Sequence, residues 1–342
     1  MRVSRESLIR IAKETVQERV FNDQAILAAY LTGSLTADKD PMLGGTADID
    51  LVFVYADPPK PAREFVRLTP DFHLDITRRG RDAFKSPREL RSDPWLGYEM
   101  YDPLLLYERE KFFDFVQASL RAGFEFEQAP LTLQRCRSLH DQARKTWMPL
   151  MMNVSEKIGA GEVKQYLQSI YYAANAVAEL SGPPIPERRL LLEFPARAAA
   201  LDHPGMQAAL TGLIGASSLE LSTAQGWLSD WRTSFTAAST HPDVDVRIHP
   251  ARLNYYEKAI QAMLESEQPS AGIWLLVHTW TLAALVLEGE QAGIWNTAFE
   301  KLGLLGTGFE ERIQGLDQYL DEIEILLDEV AAANGLESST SI

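Results

Sequence analysis

The chain has 342 residues, 46% of them hydrophobic, enough for two packed domains and inconsistent with a disordered or fibrous protein. Its formal net charge of −15 disfavours broad affinity for nucleic acid, because holding a phosphate backbone needs clustered Lys and Arg. A polymerase acting on long RNA or DNA is thereby disfavoured. The single cysteine, Cys136, excludes an intramolecular disulfide, and no zinc-ligand cluster is visible. The N-terminus lacks the apolar core of a signal peptide, and the most apolar later stretch, Ala271 to Leu287, is interrupted by His278. A cytoplasmic protein without membrane partners is expected.

In chain order, Ser4 to Asn22 sets Leu8, Ile9, Ile11, Ala12, Val16 and Val20 near helical spacing behind a serine cap, and predicts a helix packed on a sheet. Ala25 to Leu31, Asp50 to Tyr55 and Phe72 to Thr77 read as strands, with the proline-rich segment Asp57 to Pro61 as a connection. Pro87 to Tyr101 predicts short helices, and Pro103 to Glu108 a fourth strand. From Lys111 onward the strand signals fade. Helices are predicted over Phe112 to Ala122, Leu131 to Ile158 and Glu162 to Leu180, the last stopped by Ser181-Gly182-Pro183-Pro184. The remainder is helical with breaks at Gly205, Gly215, His241-Pro242, Gln268-Pro269 and Gly303 to Gly308. Its many aromatics at helical spacing, Trp231, Trp274 and Trp280 among them, read as core. The fold class is α+β: a mixed sheet with flanking helices over 1–125, an all-helical region over 126–335 that divides near 182–188, and a disordered tail over 336–342.

The chemistry concentrates in three short segments. The first apolar run ends in Leu31-Thr32-Gly33-Ser34, the second opens with Ala47-Asp48-Ile49-Asp50, and the third is His73-Leu74-Asp75-Ile76. Side chains alternate faces along a strand, so Asp48 and Asp50 point the same way while Ile49, Leu51 and Phe53 face the other. Carboxylates held that close repel unless a cation lies between them, and oxygen ligands without His or Cys favour Mg²⁺ or Mn²⁺ over zinc. Taken singly, each acid also reads as a solvated turn residue, and Ser34 as a hydroxyl closing a turn.

The ordered set of Gly33-Ser34, Asp48-x-Asp50 and Asp75 resembles the signature of the DNA polymerase β-like nucleotidyltransferase superfamily, nearest to the kanamycin- and streptomycin-type and minimal nucleotidyltransferases. The resemblance implies that Gly33 and Ser34 cradle the phosphates of a nucleoside triphosphate, ATP being the family's commonest choice. It implies that Asp48, Asp50 and Asp75 are the catalytic carboxylates and the ligands of two divalent ions. The fifteen positions from Gly33 to Asp48 are a longer gap than is usual there, and turn chemistry over Asp40 to Thr46 absorbs the excess. The arginine that many relatives carry shortly after the serine is missing, which makes Arg78, within the Arg78 to Arg81 cluster, the candidate to meet phosphate charge. A plain solvated turn explains that cluster equally well. The helix over Glu162 to Leu180 resembles the one that closes on the nucleotide, with Lys164 as candidate triphosphate contact and a solvated helix lysine as its alternative.

The expected function is therefore Mg²⁺-dependent transfer of a nucleoside monophosphate to a hydroxyl acceptor on a small molecule or protein. Two alternatives stand beside it: a toxin–antitoxin enzyme modifying a partner protein or tRNA, and a catalytically silent nucleotide sensor. A third motif, Arg135 and His140 in the R-x4-H spacing of helical nuclease domains, reads by default as a basic helix face.

Overall fold

The computed structural model describes residues 3–37, 40–122, 129–152 and 158–336. The chain is α+β and forms two compact units, 1–128 and 129–342. The predicted tail over 336–342 starts at Leu336, which is described and whose amide donates to the Ala331 carbonyl; its remainder, 337–342, and residues 153–157 of the helix expected to reach Ile158 lie outside the described residues.

The first unit begins with α1 (Arg5–Asn22), whose Ser4 cap accepts from the Ser7 amide while the Ser7 hydroxyl accepts from the Ser4 amide. Five strands follow: β1 (Ile26–Thr32), β2 (Ala47–Tyr55), β3 (Arg63–Arg67), β4 (Phe72–Gly80) and β5 (Leu104–Glu108). They form a mixed sheet in the order β3-β4-β2-β1-β5, in which only β2 and β4 run parallel. The parallel pair exists because β3 takes up the return crossing as an edge strand, and a tight turn at Leu68–Phe72 sends β4 back alongside β2. The Thr69 hydroxyl holds that turn by accepting from the Asp71 and Phe72 amides. β3 was not anticipated in the sequence, where the connection was expected to run without a strand.

The two sheet faces are sorted by residue parity. Ala47, Ile49, Leu51, Phe53 and Tyr55 of β2 and Leu74 and Ile76 of β4 lie under Leu8, Ala12 and Val16 of α1. Each fully buried aliphatic side chain there contributes about 1.5–3 kcal/mol, which fixes which face of each strand turns inward. On the opposite face, Ala28 and Tyr30 of β1 and Val52 and Val54 of β2 pack with residues of α2 (Pro87–Ser92), α3 (Leu96–Tyr101) and α4 (Phe112–Arg121). Tyr30 is locked by its hydroxyl donating to Glu99 at 2.7 Å, and Arg79 donates to the same carboxylate at 2.7 Å. That apolar cluster begins at Val52 and stops short of Asp50.

The second unit is helical. Its first two helices, α5 (Ala129–Met152) and α6 (Ala160–Ala178), are joined by the Ser169 hydroxyl donating to the Ala143 carbonyl and by Gln165 to the Thr146 carbonyl. The last helix, Gly308–Ala333, is tied to α5 by Arg144 to Asp317 at 2.6 Å and by the Trp147 indole donating to the Ile313 carbonyl. The apolar stretch noted in the sequence forms the helix Pro269–Ala284, buried at every position from Ala271 to Ala284, with Trp274 and Trp280 in the core. Among the described residues no helix is long and apolar enough to cross a membrane.

The R-x4-H pair is consumed by this packing. Arg135 lies 3.6 Å from the buried Glu179 carboxylate, and the His140 Nε2 bonds the Leu320 carbonyl at 3.0 Å. Burial holds the His140 imidazole below its ordinary value of 6.5, Arg144 adds to the effect, and the bond to the Leu320 carbonyl opposes it. A histidine that resists protonation only when folded stabilises fully above the unfolded value and loses that contribution as pH falls below it. Stability should therefore decline from about pH 6.5 downward, at most by about 1.4 kcal/mol per pH unit from this one group. Urea midpoints measured between pH 7.5 and 5 should show a shallower decline for His140→Gln than for the wild type; parallel profiles would refute the assignment.

Candidate metal centre

The acids are brought together by strand register. In the parallel pair Asp50 lies opposite Asp75 and Asp48 opposite His73, so odd-numbered β4 residues share a face with even-numbered β2 residues. One carboxylate oxygen from each of Asp48, Asp50 and Asp75 lies within 4.8 Å of the others. Asp48 and Asp75 are buried and Asp50 is half-buried. At an effective dielectric of about 20, two unit charges at that separation repel by roughly 3 kcal/mol, so a trio of carboxylates is unstable without positive charge nearby. An all-oxygen set of this size can hold a hard divalent cation such as Mg²⁺ or Mn²⁺.

The turn after β1 is shaped around the same group. Thr32 pairs with Asp50, and the chain then enters a single 3₁₀ turn over Gly33–Leu35. Gly33 has φ +76°, and a Cβ built on it would fall 2.0 Å from Asp50 Oδ2, so only glycine satisfies both the backbone angle and the approach of the carboxylate. The turn is pinned from two sides. The Thr36 amide and hydroxyl both donate to the Gly33 carbonyl, and Arg5 of α1 donates to the Leu35 carbonyl at 2.8 Å. Against this satisfied backbone, the buried Ser34 Oγ has no hydrogen-bond partner among the described residues. A buried hydroxyl left unpaired costs about 1–3 kcal/mol and calls for an explanation such as a ligand.

Asp75 already has a cation. Arg63 of β3 grips it bidentately, with Nε to Oδ1 at 2.8 Å and Nη2 to Oδ2 at 2.5 Å. Arg63 is paired with Thr77 in register, so its side chain reaches diagonally along the strand to Asp75, and its guanidinium lies 5.1 Å from the centre of the Phe65 ring. Phe65 in turn is tilted against the buried His73 at 5.9 Å. Arg63 was missed in the sequence because the strand that carries it was missed.

The proposed contact Arg78 is turned away from the acids. Arg78 stands three residues from Asp75, hence on the opposite face, where it bonds the Glu64 carboxylate and donates to the Pro61 carbonyl at 2.8 Å. Arg19 of α1 holds the same Glu64 at 2.9 and 3.0 Å. Within β4 the arginine on the face of the acids is Arg79, and it is engaged by Glu99. Lys164 belongs to the helical unit, half-buried in α6, where its charge helps hold the Asp245 carboxyl below the usual range. Burial opposes that shift, and the Asp245–Arg247 bond is the main contribution favouring it. Thus Asp48, Asp50, Asp75, Gly33 and Ser34 form one group, and Arg78 is outside it.

Gly33→Ala tests the fit of turn to carboxylate. A left-handed alanine costs about 1–2 kcal/mol, and its methyl must push the Asp50 carboxylate away. The variant should lose that stability in urea denaturation and bind Mn²⁺ at least tenfold more weakly in calorimetry, a tenfold change being about 1.4 kcal/mol. An alanine variant with wild-type Mn²⁺ affinity would show that Asp50 is not a ligand.

No protein-family model matches the chain, and no curated protein is significantly similar to it, so the reading of this centre rests on its own geometry and on the order of its motifs.

Proposed function

We propose that the protein is a divalent-metal-dependent nucleotidyltransferase, moving a nucleoside monophosphate, AMP from ATP in the first instance, onto a hydroxyl group. The observation that carries this reading is the convergence of three carboxylates beside a glycine turn whose buried serine hydroxyl has no hydrogen-bond partner among the described residues. Carboxylates alone suit any hard cation, and a serine turn alone suits any anion. Their adjacency suits a ligand that brings phosphate and divalent metal together, as a metal–nucleoside triphosphate does.

In the proposed reaction the acceptor oxygen forms a bond to the α-phosphorus, the bond from that phosphorus to the α–β bridging oxygen breaks, and pyrophosphate departs with the electron pair. A bound divalent cation supplies charge neutralisation of the phosphates. Asp48 and Asp50 are the metal ligands in this reading. Ser34 donates its unspent hydroxyl proton to a phosphate oxygen, and the exposed Gly33 lets that phosphate approach the backbone closely. Asp75 either completes the ligand set or takes the acceptor's proton, since a carboxylate not saturated by metal is a competent base. The acceptor is a hydroxyl on a small molecule or a protein; the net charge of −15 argues against a long nucleic acid.

Ser34→Ala separates a ligand contact from a structural one. Deleting a hydroxyl that has no hydrogen-bond partner among the described residues should leave the unfolding midpoint unchanged or slightly raised, while weakening Mg²⁺–ATP binding by about 0.5–1.5 kcal/mol, the worth of one hydrogen bond. A destabilised variant that binds normally would assign the serine to the turn. Asp50→Asn should abolish both metal-dependent nucleotide binding and release of pyrophosphate in a screen of the four nucleoside triphosphates against hydroxyl acceptors. Tight metal-dependent binding with no transfer to any acceptor would favour a nucleotide sensor.

A further inference from the structure

We infer that Arg63 is the resident counter-cation of the carboxylate group and leaves Asp75 when a divalent cation binds, so that metal uptake at this site is an exchange of cations. The inference deepens the metal-centre reading and rests on it. It starts from an asymmetry in burial. The Asp75 side chain is 3% exposed and sits in a strand paired on both sides, whereas the Arg63 side chain is 36% exposed and sits on the edge strand. One partner of the ion pair is held by the sheet, and the other can withdraw into water without breaking a strand pairing.

The geometry of the pair sets the competition. A guanidinium fork occupies an in-plane acceptor position on each carboxylate oxygen, and such bidentate contacts are roughly twice as strong as neutral hydrogen bonds. Both Asp75 oxygens are engaged in this way. A cation bridging the three acids needs an Asp75 oxygen that also converges with Asp48 and Asp50, and the positive fork lies against that same carboxylate. Two cations on one carboxylate repel, so the stronger charge binds as the weaker leaves. Arg63 lowers the net negative charge of the three carboxylates by one. Phe65 gives the guanidinium an aromatic neighbour on its own strand.

The apparent metal affinity is then the intrinsic affinity multiplied by the fraction of time the fork is open. Calorimetric titration of the metal-stripped full chain with MnCl₂, in the absence of nucleotide, reads this directly. Arg63→Gln should bind Mn²⁺ about tenfold more tightly than wild type if the fork is closed about nine-tenths of the time. Removing a positive charge also raises metal affinity through the field alone, so Arg63→Lys is the deciding variant: it keeps the charge and loses the fork. Exchange predicts that Arg63→Lys too binds several-fold more tightly, with a smaller gain than Arg63→Gln. In the absence of metal, thermal unfolding of Arg63→Gln should come at a lower temperature than wild type, and saturating Mn²⁺ should close that gap. Arg63→Lys with wild-type affinity, or an Arg63→Gln that binds equally or more weakly, overturns the exchange while leaving the metal site intact. Asp50→Asn distinguishes the other failure: if it binds Mn²⁺ as well as the wild type, or if the wild type binds none, the metal-centre reading itself falls and the exchange falls with it.

Discussion

The parallel register between β2 and β4 is the constraint on which the candidate site depends. It sets Asp50 level with Asp75 and leaves Asp48 two residues away on the same face. A slip of one residue would turn either Asp75 or the Asp48–Asp50 pair toward α1 and bury it against Leu8, Ala12 and Val16. The same apolar residues that would reject the acids enforce the register: Ile49, Leu51 and Phe53 on one strand and Leu74 and Ile76 on the other have nowhere else to go. Hydrophobic burial on one face thus positions charge on the other. The helices α2 to α4 extend the logic along the acid face, covering it from Val52 outward and leaving Asp50 outside their cluster.

Burying acids beside one another is costly, and the Arg63 guanidinium, held on Asp75 through its fork, offsets part of that cost. By contrast Glu64, its neighbour in sequence, faces α1 and is held by two arginines, Arg19 and Arg78. Adjacent residues on β3 therefore serve opposite faces with opposite charges. One of these networks is closed within the protein, and its two guanidinium partners, the Arg19 bond foremost, hold Glu64 below the usual carboxylate range against the opposing effect of burial. The other brings three carboxylates beside a buried serine hydroxyl with no hydrogen-bond partner among the described residues, a pattern that fits a ligand site.

How much of this was legible in the sequence follows from which signals are local. Strand alternation and the apolar runs around Ile49 and Leu74 suffice to place Asp48, Asp50 and Asp75 at strand positions, and Gly-Ser at the end of β1 marks the turn. The strand Arg63-Glu64-Phe65-Val66-Arg67 was illegible because its ends are charged and no residue of it is fully buried, the composition expected of an edge strand guarded against further pairing. Arg63 went with it. Arg78 was chosen for being close to Asp75 along the chain, yet an odd offset on a strand means the opposite face, so parity pointed to Arg79. In the R-x4-H pair five residues turn an α-helix by about 140° from alignment, so Arg135 and His140, both buried, point to different partners. Their actual partners, Glu179 and the Leu320 carbonyl, come from distant parts of the chain and left no local trace.

Rigidity is distributed unevenly across the centre, and the distribution suits its chemistry. The acids sit on two strands that have neighbours on both sides, and the glycine turn is pinned by Thr36 and Arg5, so carboxylates and turn are held in place before any ligand arrives. Arg63 sits on the edge, where a long side chain can trade one hydrogen-bonding partner for water at small cost. A fixed set of negative charges with one movable positive charge can remain neutral enough to fold without metal and still offer a vacant carboxylate when metal comes. Were the arginine placed on a central strand instead, it would be as immobile as Asp75, and the same ion pair would close the site permanently.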